Sequence, residues 1–224
     1  MRLVGAAVED VAALVEREHP DLLLMQEATR AVEALPALIG GHFHRRPLPT
    51  RIHGLAAWSP HFLPTPEVLP LPVSPMPGRL PQRIAQLVRL GDVTFANVHL
   101  SHGQLLNRRQ LLRIAQALSG PAAVIGDYNA VGPILLRGFR DVGPREPTHL
   151  ARNVLPFRLD RCLVRGLKCL EARALDRGPS DHRPILLDLR VAMAAATTRA
   201  MPHAAHDSAP VAANGLAAAE IAAL

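Results

Sequence analysis

Two short segments of this chain are apolar over four successive positions and then end abruptly in polar residues. Residues 21–27 read DLLLMQE and residues 122–129 read AAVIGDYN. A strand with one wet face alternates apolar and polar residues, so continuous runs of this kind fit strands buried inside a layered protein. Their polar ends put Glu27, Asp127 and Asn129 where loops leave a sheet, the usual place for binding and catalytic groups.

The surrounding pattern is that of an α/β chain. Over residues 6–18, Ala7, Val8, Val11, Leu14 and Val15 recur at helical spacing until Pro20 stops them. A second helix is predicted over 29–39, with Pro36 as a break, and a third over 104–118, closed by Gly120-Pro121. Between 42 and 81 proline is frequent, which predicts irregular loops around short strands at 54–59 and 67–71. Gly91-Asp92 separates two alternating apolar runs, 83–90 and 93–100, and reads as the turn of a β-hairpin. Further strands are predicted at 158–164 and 167–174, turning at Arg165-Gly166, and at 184–189.

The chain has 224 residues, enough for one domain with a substantial core, assigned here to 1–190. From 191 to 224 the composition shifts to Ala, Thr, His and Pro, which predicts a disordered tail. Aromatics are only 3% of the sequence, so the core must be built from Leu, Val, Ile and Ala. That scarcity argues against stacking platforms for single-stranded nucleic acid. The formal net charge of +6 fits a polyanionic partner such as nucleic acid or a phospholipid headgroup. Nearly all of this charge is Arg, with Lys168 the sole lysine, so compositional bias explains it equally well. Cys162 and Cys169 lack metal-ligand spacing and are expected to fill core positions. The N-terminus does not resemble a secretory signal, and no apolar run reaches the ~20 residues of a membrane span, so a cytoplasmic protein is expected.

Polar groups stand at the ends of several predicted strands: Glu27, His99, Asp127 with Asn129, Asp160, and Asp181 with His182. Glu27 offers a hard oxygen to a cation such as Mg2+, or alternatively an acid at a helix N-terminus. Asp127 and Asn129 could orient a water and donate to a phosphoryl oxygen, or simply close an Asx turn. Asp181 could bind metal, while His182 carries an imidazole whose ordinary pKa suits proton transfer or charge stabilisation. Asp160 lies inside an apolar strand and needs a partner, for which an imidazole is the natural candidate. His99 could donate to a phosphate oxygen. A Ser-His-Asp hydrolase using Ser101 or Ser180 lacks the Gly-x-Ser-x-Gly turn that exposes such a serine. The scattered His42, His44, His53 and His61 lack the spacing of a zinc site and read as loop histidines.

Taken in order, DLLLMQE (21–27), NVHL (97–100), GDYN (126–129), RLDRCLV (158–164) and SDHRP (180–184) resemble the motif set of the endonuclease/exonuclease/phosphatase superfamily. The resemblance implies a four-layer α/β/β/α sandwich of two mixed β-sheets with outer helices and an active site at one rim. It further implies a metal-dependent hydrolase of phosphoester bonds, acting as phosphodiesterase, endonuclease or phosphatase with Mg2+ or Mn2+. By resemblance, Glu27 and Asp181 hold the metal, Asp127 orients the water and Asn129 holds phosphoryl oxygens. His182 acts as base or charge stabiliser steered by Asp160, and His99 contacts the scissile phosphate. Family members usually open with a strand bearing an asparagine of the metal site, and no Asn precedes Glu27 here. That departure leaves a second possibility, a catalytically impaired member that binds nucleic acid or another polyanion.

Overall fold

The computed structural model describes residues 7–49, 51–74, 82–151, 154–178, 180–192 and 219–223. In chain order its elements are α1 (Val8–Glu18), β1 (Leu22–Ala28), a 3-10 turn (Arg30–Ala34), α2 (Leu35–Ile39), β2 (His42–Pro47), β3 (Gly54–Ser59), β4 (Glu67–Pro70), β5 (Ile84–Leu90) and β6 (Val93–His99). There follow α3 (Gln104–Ala117), β7 (Ala122–Asp127), β8 (Arg140–Asp141), β9 (His149–Ala151), β10 (Leu155–Phe157), β11 (Asp160–Arg165), β12 (Leu167–Ala174), β13 (Ile185–Val191) and β14 (Ala219–Ala223).

The strands make two six-stranded sheets, ordered β12-β13-β14-β1-β3-β2 and β4-β5-β6-β7-β11-β8, with β9 and β10 as a separate ribbon. Both sheets are mixed, because β1 runs parallel to β14 and β6 parallel to β7 among otherwise antiparallel neighbours. The apolar clusters reveal the layers. Leu22, Leu24, Ile185 and Leu187 of one sheet pack on Phe95, Ala123, Ile125 and Cys162 of the other. Leu23, Met25, Ala56 and Leu186, which alternate with the first set, face Val11, Leu14 and Val15 of α1. On the far side, Ala96, Val98 and Val124 face Leu111 and Ile114 of α3. The strands β1, β3, β6 and β7 are thus largely buried on both faces, which is why the two opening runs contain no polar residue until they reach the rim. The result is the α/β/β/α sandwich expected.

One buried polar knot ties the sheets together near that rim. Asn97 on β6 donates from Nδ2 to the carbonyl oxygens of Met25 (3.1 Å) and Ala56 (3.0 Å) on the opposite sheet. Gln26 Nε2 donates in turn to Asn97 Oδ1 at 2.7 Å. Buried backbone and amide groups satisfied in this way fix the relative position of the layers.

The fold departs from the sequence reading in three places. Residues 42–47, expected to be irregular, form β2, an edge strand whose largely accessible side chains leave no apolar alternation to detect. The helix expected over 29–39 divides into a 3-10 turn and α2, with a proline in the first turn of α2. The turn expected at Arg165-Gly166 is present, and it carries the chain between layers: β11 joins one sheet and β12 the other. Finally, the expected disordered tail contains β14, which pairs with both β1 and β13; its backbone groups complete two ladders, a gain that composition does not reveal. The rest of that segment, 193–218, lies outside the described residues. Cys162 is buried in the inter-sheet core, as expected, and Cys169 is partly buried. No helix among the described residues is long and apolar enough to cross a membrane.

Candidate active site

Strand register carries three of the polar residues to one row. His99 on β6 pairs with Asp127 on β7, and Asp127 pairs with Asp160 on β11. Four residues earlier on β6, two earlier on β7 and two later on β11, the same faces hold Phe95, Ile125 and Cys162 in the inter-sheet core. Alternation therefore points the His99-Asp127-Asp160 row into the space between the sheets. Gly126 permits the close approach. Its φ is +137°, and a Cβ there would lie 2.1 Å from the Val98 carbonyl oxygen.

Each member of the row has a defined partner. His99 Nε2 lies 3.3 Å from Asp127 Oδ2. The backbone N–H of Asn129 donates to Asp127 Oδ1 at 2.7 Å, closing an Asx turn, and Asn129 itself adopts φ +47°. Asn129 Nδ2 donates to the Leu100 carbonyl at 3.0 Å. Between these two residues the fully buried Tyr128 points the other way, into the α3 layer, and donates its hydroxyl to Val124 O at 2.9 Å. Asp160 Oδ2 lies 2.8 Å from His182 Nδ1, so the expected imidazole partner is present. The buried Thr148 accepts the backbone N–H groups of Leu159 and Asp160 at Oγ1, at 3.1 and 2.9 Å, and so sets the strand end that carries Asp160.

The charges follow from this crowding. Burial, then the neighbouring Asp160, pushes the Asp127 carboxyl up to about 7. Burial, then Arg83 and His182, pushes His99 well below its ordinary value, so its contact with Asp127 involves a neutral imidazole. Burial alone would depress His182 as well. Its hydrogen bond to Asp160 and the charges of Asp160, Asp127 and Asp181 outweigh that effect and raise it to about 9. His182 is therefore the imidazolium of the site, steadied by the carboxylate behind it.

Glu27 reaches the rim from the opposite sheet. The register between β1 and β3 shifts between Met25 and Ala28, and Glu27 has φ +52°, a left-handed conformation rare outside Gly, Asn and Asp. Regular alternation after Gln26 would send its side chain under α1; the bulge breaks that alternation. The Glu27 carboxylate makes no hydrogen bond or ion pair among the described residues. It shares the field of Arg83, whose guanidinium burial pulls below its ordinary value while Asp127 and Glu27 hold it up. A partly accessible, uncommitted carboxylate offers a hard oxygen to a divalent cation. Asp181 groups instead with His149 and His182, their donor atoms all lying within 4.8 Å of one another, and Glu27 stands outside that cluster.

A family model described as Endonuclease/Exonuclease/phosphatase family matches residues 4–182. The chain belongs to this family. Among solved structures, an endonuclease/exonuclease/phosphatase from Beutenbergia cavernae is 20% identical, with a TM-score of 0.64 over 84% of this chain and 67% of its own. Humanized TDP2 of D. rerio is 17% identical, with a TM-score of 0.65 over 82% of this chain and 91% of its own. ANGEL2, described as a 2',3'-cyclic phosphatase, is 14% identical, with a TM-score of 0.63 over 83% and 86%. At these identities the structural likeness speaks for the fold. The comparison with curated proteins finds no match.

Three residues of the rim were not singled out from the family motifs. Arg83 lies inside a predicted strand, and only the fold shows Glu27 and Asp127 beside it. Thr148 and His149 sit in a stretch with no apolar pattern. Their pairing with the SDHRP segment, through the bridge of His149 to His182, is long-range.

Proposed function

We propose that the chain is a divalent-metal-dependent phosphoester hydrolase that uses water as its nucleophile. The observation carrying this reading is the row of His99, Asp127 and Asp160 closed by His182. An acid pushed up to about 7 beside an imidazolium with a pKa of about 9 gives a proton acceptor and a cationic donor in one place. Asp127 orients the attacking water and takes its proton. His182, held by Asp160, donates to the phosphoryl oxygen on which charge accumulates, so of its two expected roles charge stabilisation is the better supported. Asn129 keeps its second amide hydrogen for another phosphoryl oxygen, and His99 faces the same phosphate as a neutral imidazole. Glu27 and Asp181 would hold Mg2+ or Mn2+, which supplies neutralisation of the phosphate charge.

The substrate proposed is a phosphodiester within a polyanion such as nucleic acid. A groove of about 950 Å3 follows the loop after Asn129, lined by Arg108, Arg137, Arg140 and Arg145 among others. Arg161, anchored to Asp141 at 3.1 Å and to the Gly132 carbonyl at 2.6 Å, holds that loop in place. A cytoplasmic location belongs to the same proposal and is supported by the two unpaired cysteines.

The test is hydrolysis of bis-p-nitrophenyl phosphate and of plasmid DNA with Mg2+, with Mn2+ and with EDTA, alongside Asp127→Ala. Metal-dependent turnover that the variant loses establishes the reading. Absence of turnover with both metals and both substrates favours the polyanion-binding member. One feature favours that alternative: the strand beside β1 is β14, whose sequence AEIAA has no asparagine.

A further inference from the structure

The SDHRP segment enters a second arrangement of donors, completed by His149, which the hydrolytic reading does not use. His149 and His182 are partners in an antiparallel bridge, which puts their side chains on one side of the backbone. Their rings lie 4.4 Å apart between centroids, tilted by 46°. The flanking hydrogen bonds from Leu150 N to Asp181 O (3.2 Å) and from Arg183 N to Thr148 O (2.6 Å) hold the two segments in that register. Donor atoms of His149, Asp181 and His182 all fall within 4.8 Å of one another.

Two observations point from this cluster to a ligand. The ring of His149 faces the backbone of Asp181, and its buried Nδ1 makes no hydrogen bond of good geometry among the described residues. His182 is bonded through Nδ1 to Asp160 at 2.8 Å, which leaves Nε2 as its free nitrogen. A carboxylate behind the far nitrogen of an imidazole is the arrangement that orients histidines at metal centres and increases their basicity.

We propose that His149, Asp181 and His182 form a site for a borderline divalent transition metal, Zn2+ in the first instance. Two imidazoles and one carboxylate suit Zn2+ and Co2+, whereas Mg2+ prefers an all-oxygen environment. The site shares Asp181 with the proposed hard-cation site and occupies the free nitrogen of His182. Zn2+ bound there therefore competes with Mg2+ for Asp181 and takes the His182 nitrogen, in place of any proton on it, that the hydrolytic reading turns toward the phosphate, so the cluster acts as an inhibitory site. Binding itself follows from the donor geometry alone; only the inhibitory consequence rests on the hydrolytic reading.

The experiment is calorimetric titration of chelator-treated protein with Zn2+ in excess Mg2+, repeated with Co2+ and read by its visible absorption. One ion per chain is expected at this site. His149→Phe keeps a ring against His182 but removes the nitrogens, and is expected to weaken Zn2+ binding by about tenfold or more, as is Asp160→Asn. Mg2+ binding by His149→Phe is expected to be unchanged. His149→Gln serves in its place if the aromatic variant does not fold. X-ray absorption of the Zn2+-loaded wild type reads the ligands directly, and two imidazoles with oxygen donors are expected. Unchanged Zn2+ affinity in a folded His149 variant, or a spectrum with fewer than two imidazoles, overturns the proposal. A protein that binds Zn2+ as expected yet hydrolyses nothing when freed of Zn2+ and supplied with Mg2+ or Mn2+ would sink the hydrolytic reading and leave the binding site intact.

Discussion

Asp127 and Asp160 are register partners on adjacent strands, so two buried carboxyl groups face the same narrow space. Burial first, and then the like charge of Asp160, raise the Asp127 carboxyl. Such a pair is a cost to the fold that persists because neutral His99 and charged His182 flank it. Replacing Asp127 by Asn keeps the shape and the acceptor for the Asn129 N–H while removing one charge. Asp127→Asn is therefore expected to unfold in urea at or above the wild-type midpoint, while hydrolysis falls by about 10²–10⁴-fold. A variant that unfolds earlier, or that keeps its rate, contradicts this account of the pair.

The His182–Asp160 contact has a pH signature. The imidazole is raised from its ordinary 6.5 to about 9 in the folded chain, so the fold binds this proton more tightly than the unfolded chain does. Its contribution is complete below pH 6.5 and is lost as pH rises through about 9. Asp127 is likewise raised, from 3.8 to about 7, so its contribution also falls with rising pH but has largely gone by pH 7. In chelator, stability measured between pH 7 and 9.5 should decline for the wild type and stay nearly level for Asp160→Asn. Equal slopes would show that the pair does not hold the proton.

Much of this site was legible before the fold. The rim positions of Glu27, Asp127 and Asn129 follow from apolar runs that stop, and the need of Asp160 for an imidazole follows from burial alone. What sequence could not supply was adjacency. Nothing local tells β11 and β12 to part into different sheets, or brings His149 against His182 across more than thirty positions. The edge strand β2 and the alanine-rich β14 were invisible for a related reason: their place depends on backbone pairing with distant strands, and their side chains carry no periodic signal.

Gly126 and Gly132 make a matched pair of tests for the backbone. Both have positive φ, but a Cβ on Gly126 meets the Val98 carbonyl at 2.1 Å, whereas one on Gly132 meets nothing within 4 Å. Gly132→Ala should cost about 1–2 kcal/mol from backbone strain. Gly126→Ala adds a clash with an adjacent strand and should cost about 2–5 kcal/mol, with the rim displaced. Denaturant midpoints of the two variants measure the difference. Equal losses would mean that strand spacing at Gly126 relaxes freely.

Asn97 offers a test of the knot between the sheets. Removing its side chain in Asn97→Ala strands the carbonyls of Met25 and Ala56 and the amide of Gln26, all beneath the rim. Leaving buried polar groups unsatisfied costs about 1–3 kcal/mol each, though a water entering the new cavity would recover part of it. The expected loss is about 2–4 kcal/mol in urea unfolding, with weakened Mg2+ binding because Gln26 immediately precedes Glu27. A loss below 1 kcal/mol would show that the layers are held by apolar packing alone.

The last prediction concerns β14, which stands third in a six-stranded sheet, between β13 and β1. It is paired on both sides, through Leu22–Leu24 of β1 and Ile185–Leu189 of β13. A chain ending at residue 218 would therefore expose two unpaired strand edges in the middle of a sheet, one of them the strand that carries Glu27. Open central edges recruit other strands, so the shortened chain is expected to aggregate or to unfold at much lower denaturant than the full chain. A synthetic peptide of residues 215–224 added in trans should partly restore it, since main-chain hydrogen bonds supply most of such pairing. If the shortened chain proves as stable and monomeric as the full one, β1 and β13 must be able to close on each other, and the sheet would hold five strands instead of six.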